Sequence, residues 1–294
     1  MKVRIGIGVG AAGSGEDFGD IVCEMERCGF DSVWLSEVLS TPVLDPLAGL
    51  AFAAGVVEKL KLGTTMLAPG RNPVRLAKEL ATVDRLSGGR LLVVLVPGLT
   101  DAAEQQAMGV PMRERGAWID EVLPLLRRFW IEDAVSHHGE LFSYEGLTVR
   151  PRPVQQPLDL WLGGTASSAL RRAGRISDGW LPSLLTPAEA SSGRRAIEQA
   201  AAEAGREIEA EHFGVSLGYA RERISERQVA TIARRRPGVD PSTLVPIGLD
   251  GLRLRLQEFI DVGFSKFVVR PSDAPQDWRN ELHVLADAVL PLQT

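Results

Sequence analysis

Short runs of apolar residues alternate with longer amphipathic stretches along the whole chain. The apolar runs are rich in Val, Ile and Leu and lack a polar residue at every second position, which is typical of parallel strands buried on both faces. Strands are predicted at residues 3–9, 32–36, 60–66, 91–96, 158–162, 179–181, 213–218 and 266–270. Helices are predicted at residues 19–28, 45–58, 73–87, 112–130, 167–176, 187–204, 251–262 and 277–290. This alternation indicates an α/β fold with a parallel sheet.

Eight strand–helix units without a Ser/Gly-rich linker predict one (β/α)₈ TIM barrel, a single domain that spans residues 1–294. Two stretches lack a clear period. Residues 131–157 are predicted to form a long loop or hairpin over one side of the barrel, and residues 220–249 a second irregular segment. We expect extended loops at the C-terminal face of the strands, where this fold builds its active sites.

Composition narrows the function classes. Hydrophobic residues make up 45% of the chain and charged residues 24%, which is typical of a soluble globular protein. The formal net charge of −5 provides no basic field for nucleic acid. The apolar run at residues 3–9 is too short to span a membrane. The lack of a signal peptide and the two cysteines, Cys23 and Cys28, predict a cytoplasmic protein without disulfides. The four histidines lack the spacing of a metal site, so no metal is expected.

The most specific local pattern is WLGGTAS at residues 161–167, where a strand runs into a glycine pair and then into a helix. Glycines allow a ligand to approach the backbone closely, and the N–H groups at the start of the helix can bind a phosphate. Thr165 and Ser167 would add hydroxyl donors. The run DGWLPS at 178–183 ends the next strand on the same face and places Ser183 nearby. A tight turn without a ligand is the alternative interpretation.

Several further runs, in this order and spacing, resemble the luciferase-like monooxygenase superfamily, and in particular its oxidoreductases that use the deazaflavin F420. The matching runs are GFDSVWLSE at 29–37, LGT at 62–64, RNP at 71–73, AKELATVDRLSGGR at 77–90, RPRPVQ at 150–155 and DGW at 178–180. The resemblance covers at least residues 1–183. It implies a TIM barrel, a flavin-type cofactor, a small-molecule substrate and a homodimer.

The resemblance also implies a role for particular residues. It places the cofactor phosphate on Gly163, Gly164, Thr165, Ala166 and Ser167, with Ser183 as a second contact. A bulge with a non-proline cis peptide between Thr65 and Met66 is expected to press the backbone against the cofactor ring, with Ala68 at the ring edge. Glu37 is expected beside the ring and is the one candidate catalytic residue. Gly98 is expected to allow close approach of the backbone after the fourth strand.

Two departures from the superfamily pattern bear on the reaction. Val38 stands where a His is usual, and Leu99 stands where the F420-dependent sugar-phosphate dehydrogenases have a Glu. Oxidation of an alcohol needs a base that accepts the hydroxyl proton. Because the usual His and Glu are absent, reduction of an activated double bond or imine by F420H2 is favoured. The first hypothesis is therefore an F420-dependent oxidoreductase. The second is a monooxygenase that uses reduced FMN, and the third is a flavin- or deazaflavin-binding protein without turnover.

Two charged runs are interpreted as structural. The run at 84–90 lies between a helix end and a strand start, so it is predicted to fix architecture. Arg234, Arg235 and Arg236 are interpreted as the solvated end of a helix, where basic residues suit the helix dipole. Binding of an anionic cofactor tail or of a phosphorylated partner by these arginines is the alternative.

Overall fold

The computed structural model describes residues 1–10, 15 and 17–294. The strands are β1 (Arg4–Val9), β2 (Ser32–Ser36), β3 (Lys61–Leu67), β4 (Leu91–Val96), β5 (Val135–His138), β6 (Ser143–Leu147), β7 (Leu160–Leu162), β8 (Gly179–Trp180), β9 (Gly214–Tyr219) and β10 (Lys266–Pro271). The helices are α1 (Phe18–Cys28), α2 (Pro46–Val56), α3 (Pro73–Leu86), α4 (Ala102–Met108), α5 (Met112–Ile131), α6 (Ser167–Ile176), α7 (Pro187–Glu203), α8 (Glu226–Arg235), α9 (Gly248–Asp261) and α10 (Trp278–Val289). Short 3₁₀ helices follow at Pro241–Thr243 and Leu290–Leu292.

Eight parallel strands form the central sheet in the order β8-β7-β4-β3-β2-β1-β10-β9. Two isolated parallel bridges, Trp180 with Phe213 and Ser183 with Ser216, join its two outer strands β8 and β9. The sheet therefore closes on itself, and the predicted (β/α)₈ barrel is confirmed. Each predicted strand corresponds to one strand of the barrel.

The inside of the barrel is filled near its middle. Trp34, Val94, Leu181 and Val268 form a buried cluster there. Trp34 fits because Gly63 on the neighbouring strand has no side chain: a Cβ atom at Gly63 would lie 2.2 Å from the Trp34 ring. Below this cluster, a cavity of about 60 Å³ is lined by strand-start residues that include charged groups. The barrel is thus closed from its N-terminal side and open towards the carboxyl ends of the strands.

The outer faces of the strands pack against the surrounding helices in one large apolar core. Local sequence sets several helix starts, because Asn72 caps α3 by accepting from the N–H groups of Val74 and Arg75, and Thr186 and Glu189 form a capping box on α7. Cys23 and Cys28 are both free, as predicted. No helix in the part of the chain that the structure describes is long and apolar enough to cross a membrane.

The two irregular stretches differ in their position relative to the mouth of the barrel. Within 131–157, β5 and β6 form an antiparallel hairpin, so the predicted hairpin is confirmed. It follows a helix rather than a strand and packs along α5, where Glu121 accepts from the N–H groups of Leu141 and Phe142. Residues 220–249 contain α8 and a 3₁₀ helix, so the prediction of an irregular segment is wrong there. Since this segment follows β9, it borders the C-terminal face.

Asp84 links three parts of the structure, which agrees with the architectural role predicted for its run. Its buried carboxylate accepts from the backbone N–H groups of Val154 (2.6 Å) and Gln155 (3.0 Å) and from the Gln155 side chain (2.6 Å). The Gln155 side chain also donates to the Leu91 carbonyl on β4. One carboxylate therefore ties the end of α3 to the segment that leads into β7.

We expect Asp84→Ala to lower the free energy of unfolding by about 2–4 kcal/mol, because three partly buried donors lose a buried, charged acceptor at once. The measurement is urea-induced unfolding followed by circular dichroism. Asp133→Ala is the matched control, since the Asp133 side chain is 63% exposed and pairs with Arg150. It should cost less than about 1 kcal/mol. Equal losses in the two variants would contradict the role assigned to Asp84.

Candidate active site

Small residues line the open end of the barrel. Successive strand residues point alternately inward and outward, so the positions that follow the central cluster along each strand face the mouth. These inward positions are Gly8, Ser36, Thr65, Val96, Gly163, Ser183, Ser216, Gly218 and Arg270. Seven of the nine are Gly, Ser or Thr, which leaves room above Trp34 for a flat ring system.

The glycine pair lies at the end of β7, as predicted. Gly163 is buried and its N–H donates to the Leu95 carbonyl, whereas Gly164 has a φ of +96°, a region that favours glycine. The Gly164 carbonyl accepts from Trp180 Nε1 at 2.9 Å. These contacts fix the turn that leads from the strand into α6. A Cβ atom at Gly163 would lie 2.6 Å from Val96 Cγ1, so packing also requires this glycine.

The start of α6 is open to solvent. Thr165, Ala166 and Ser167 are exposed, and Ala166, at the N-cap, makes no side-chain hydrogen bond to the helix. The first N–H groups of α6 therefore have no capping side chain, and an anion can accept from them. The sequence prediction of a strand, a glycine turn and a helix N-terminus at the mouth agrees with this geometry. Ser183 is half-buried at the end of the neighbouring strand.

A groove of about 550 Å³ adjoins this loop between α6 and α7. Thr165 and Trp180 line one end, and Glu189 and Arg236 line the other. Arg236 is engaged by the protein, since it donates to Glu189 Oε1 at 2.5 Å and to the Leu184 carbonyl. The third arginine of the run at 234–236 is therefore an internal contact, which the prediction of a solvated helix end missed.

Glu37 holds the ends of β2 and β3 together. Its side chain is 8% exposed; Oε2 accepts from the Leu67 N–H at 2.8 Å, and Oε1 accepts from Arg71 Nη2 at 2.6 Å. Both carboxylate oxygens are thus occupied within the protein. A cavity of about 210 Å³ lies beside this ion pair, bounded by Pro69 and Met108. Arg71 belongs to the run RNP at 71–73, one of the runs that resemble the superfamily.

The predicted cis peptide between Thr65 and Met66 is wrong. The cis bonds in the described part of the chain precede Pro151 and Pro157. Thr65 and Met66 instead continue a regular parallel ladder, because they pair with Val94 and Leu95 without a register shift. The Thr65 side chain faces the mouth.

Met66 and Ala68 contribute to the mouth only through their backbone. Both side chains are fully buried in the core that packs against the helices. The Ala68 N–H donates to the Val96 carbonyl, which continues the pairing of β3 with β4. Contacts of these two residues with a cofactor ring stay a prediction.

The loop after β4 is held by one buried arginine. Gly98 has a φ of +89°, and a Cβ atom there would lie 2.5 Å from Met108 Cε and 3.0 Å from Arg115 Nη1. Arg115 Nη1 donates to the carbonyls of Pro97 and Leu99, each at 3.0 Å. The structure therefore explains Gly98 by its packing against α4 and α5. Its proposed contact with a ligand stays a prediction.

The mouth offers little for general base catalysis. None of the nine inward positions is His, Asp, Glu, Cys or Lys, and Glu37 is bound to Arg71. Tyr219, at the end of β9, points outward and donates to Glu281; burial raises the pKa of its phenol well above the usual range. The hydroxyls of Ser36, Thr65 and Ser183 stay protonated at neutral pH, so they do not act as general bases.

Far from the mouth, Glu24, Cys28 and His283 place one potential metal-ligand atom each within 4.8 Å of the others. No local pattern in the sequence predicts this group, because His283 lies on α10 and the other two residues lie on α1. Glu24 already pairs with Arg27 and Arg279, so we interpret the group as part of a surface charge network.

Comparisons with known proteins agree with this geometry. The sequence profile of the family described as luciferase-like monooxygenase matches residues 1–235. The chain is 30% identical over 173 residues to an F420-dependent glucose-6-phosphate dehydrogenase of Kineococcus radiotolerans, across 55% of this chain and 50% of the relative. It is 34% identical over 125 residues to an FMNH(2)-dependent dimethylsulfone monooxygenase of Pseudomonas putida, across 41% and 34%. The chain thus spans half or less of the length of these relatives.

A solved structure supports the fold over the whole chain. The coenzyme F420 dependent tetrahydromethanopterin reductase from Methanopyrus kandleri superposes with a TM-score of 0.82 and covers 100% of both chains at 19% identity. At this identity, the likeness concerns the fold alone.

The role of Glu37 as a brace leads to a stability prediction. We expect Arg71→Met to lower the free energy of unfolding by about 1–3 kcal/mol, because it leaves a mostly buried carboxylate without its cation. Adding Glu37→Gln should restore part of the loss, since the neutral amide tolerates burial without a cation. Thermal unfolding of the single and double variants measures both effects.

Arg113→Met is the control for this pair, because the Arg113 side chain is 84% exposed and its partner Glu114 is 54% exposed. Its effect should stay within about 0.5 kcal/mol. A double variant less stable than Arg71→Met alone would show that Glu37 does not depend on Arg71.

Proposed function

We propose that this chain, which belongs to the luciferase-like monooxygenase family, is an oxidoreductase that binds F420 in the barrel mouth and transfers a hydride to a small organic substrate. The observation that carries the proposal is the uncapped start of α6 after a glycine turn, beside a mouth lined by small residues. An anionic tail and a flat ring require these two features next to each other.

The residues present fit such a cofactor in two parts. Gly163, Gly164, Thr165, Ala166 and Ser167 would hold the phosphate through N–H and hydroxyl donors, with Ser183 opposite. The ring would rest on the backbone of Thr65 and Met66, with Ala68, Gly98 and the Glu37 brace around its edge. When bound, the deazaflavin supplies the hydride. The protein supplies orientation and a floor closed by Trp34.

F420 is preferred to FMN on the basis of similarity. The Kineococcus radiotolerans relative is named as F420-dependent, and the short loop at 39–44 after β2 and the Ala/Arg-rich composition resemble F420-dependent members. The Pseudomonas putida relative, which uses FMNH(2), supports the second candidate, a flavin-dependent monooxygenase. The open groove beside Thr165 leaves space for the longer tail of F420.

The residues of the mouth favour the reductase direction. Removal of a hydride from an alcohol needs a base within hydrogen-bond reach, and neither Val38 nor Leu99 provides one. Delivery of a hydride to an activated double bond or imine leaves a basic site on the substrate, which can take its proton from water or from a hydroxyl. The inward hydroxyls of Ser36 and Thr65 could donate in this way. A homodimer remains a prediction from the resemblance.

We expect purified protein to bind F420 with a dissociation constant in the micromolar range and FMN at least about tenfold more weakly. Quenching of F420 or FMN fluorescence during titration measures both. Micromolar binding of FMN without binding of F420 would replace the first candidate by the flavin-dependent monooxygenase.

Ser167→Asp tests the phosphate loop in a variant that should still fold. Aspartate suits the first turn of a helix and stabilises it by roughly 0.3–1 kcal/mol, yet its charge repels a phosphate at the same N–H groups. We expect the affinity for F420 to fall about tenfold or more. Thr82→Asp adds the same charge on the exposed face of α3 and should leave the affinity unchanged. Unchanged affinity in Ser167→Asp would place the phosphate elsewhere.

Turnover separates an enzyme from a cofactor-binding protein. With a panel of α,β-unsaturated ketones and cyclic imines, we expect the protein to catalyse oxidation of F420H2, followed by the recovery of F420 absorbance. With secondary alcohols and oxidised F420, we expect a much slower reaction because the base is missing. A tight F420 complex without turnover in either direction would favour the binding protein.

A further inference from the structure

Arg270 is the one large, charged side chain among the inward positions of the mouth. It follows Val268 by two residues on β10, so it points into the barrel above the central cluster. Its neighbours on both sides are glycines. It pairs with Gly218 on β9, and a Cβ atom at Gly8 on β1 would lie 3.4 Å from Arg270 Cβ. The guanidinium therefore stands in the mouth without adjacent side chains from the flanking strands.

Arg235 approaches the same place from α8. Gln228 donates to Ser272, which follows β10. This hydrogen bond shows that the face of α8 that carries Gln228 is turned towards the mouth. Arg235 lies seven residues further along this face, two helical turns away. Ile232, between them, anchors the helix in a small apolar cluster with Ala220 and Val245. The helix thus presents Arg235 towards Arg270.

No partner within the described part of the chain neutralises these two cations. There, neither the Arg235 side chain nor the Arg270 side chain makes a hydrogen bond or an ion pair. Desolvation by the surrounding protein lowers the pKa of Arg270. The pKa of Arg235 is lowered mainly by desolvation and also by repulsion from Arg270. Both residues remain exposed to solvent, so their guanidinium groups are accessible to a ligand.

Gln228 gives an independent sign of a missing ligand. Its Oε1 is buried and has no hydrogen-bond partner. A Cβ atom at Gly218 would lie 3.4 Å from Gln228 Nε2 and 3.9 Å from Arg270 Nη2, so the amide and the guanidinium border the same space. An unpaired buried polar atom is costly, so a ligand group that donates to Gln228 Oε1 would remove this cost.

We propose that Arg270 and Arg235 bind an anionic group of the substrate, a carboxylate, phosphate or sulfonate, at the β9–β10 side of the mouth. This inference rests on the proposed function for the identity of the substrate, since the hydride acceptor would share the mouth with the cofactor. A hydrogen-bond donor next to the anionic group would pair with Gln228 Oε1. Two unpaired guanidinium groups match an oxyanion in charge and in geometry.

The position of the arginines separates this anion from the cofactor phosphate. The phosphate loop follows β7, and Arg270 lies on β10, three strands further around the barrel. A substrate anion at Arg270 would therefore direct its other end towards the centre of the mouth, above Trp34. This arrangement would select acidic substrates over neutral ones of the same shape.

Direct binding of inorganic phosphate tests the site without the cofactor. By isothermal titration calorimetry at low ionic strength, we expect millimolar or tighter binding to the unaltered protein. Binding should weaken by about tenfold or more in Arg270→Gln and Arg235→Gln, and by less in Arg270→Lys, which keeps the charge. Arg253→Gln, on the exposed side of α9, is the control and should bind like the unaltered protein.

Folding of the variants is checked by thermal unfolding. Because neither arginine has a partner to lose, we expect a melting temperature that is unchanged or raised. No phosphate binding to the unaltered protein, or equal binding by Arg270→Gln, would overturn the proposal.

Titration of the same variants with F420 distinguishes the source of the anion. Affinity for F420 within about threefold of the unaltered protein assigns the site to the substrate, whereas a tenfold loss assigns it to the cofactor tail and overturns our inference. If the unaltered protein binds phosphate through Arg270 but does not bind F420, the proposed function fails while the anion site stands.

Discussion

The packing of Trp34 inside the barrel is the constraint on which the rest of the structure depends. This indole fills the centre of a closed ring of strands, and it can do so only because Gly6 and Gly63 carry no side chains where the ring lies. Trp34 Nε1 donates a hydrogen bond to Ser32 Oγ, so the one polar atom of the buried indole has a partner. Charged residues below it, such as Arg4 and Lys61, are thereby separated from the mouth, and binding chemistry is confined to one face.

Above this plug the fold distributes charge unevenly. The start of α6 contributes a partial positive charge on one side of the mouth, and Arg270 with Arg235 contributes two full charges on another. Glu37, an acidic residue that follows β2, is neutralised by Arg71. A net charge of −5 for the whole chain therefore coexists with unpaired positive groups at the mouth. Such local geometry is the way in which an acidic protein can bind a phosphate.

The sequence predicted the barrel and the glycine turn before α6 because both depend on local pattern. Continuous apolar runs mark strands buried on two faces, and a glycine pair before a helix places N–H groups at a strand end whatever the rest of the chain does. The prediction of a cis peptide at Thr65 was wrong. It came from the resemblance, whereas in this chain the ladder between β3 and β4 continues without a bulge. Gly98 was predicted as a ligand contact. The structure gives a second reason for a glycine at this position, which is close packing against Met108 and Arg115. The sequence pattern did not show this packing, because the two residues lie on other elements.

The sequence by itself determined the order of the barrel strands and the position of the glycine turn at Gly163, because hydrophobic periodicity and turn chemistry act between near neighbours. Only the tertiary structure decided which charges meet. Glu37 and Arg71 are 34 positions apart, Arg235 and Arg270 are 35 apart, and Asp84 reaches Gln155 across 71. Closure of the barrel decides which of these groups meet a partner and which stay unpaired. A local sequence pattern does not show this, because the partners are distant in the sequence.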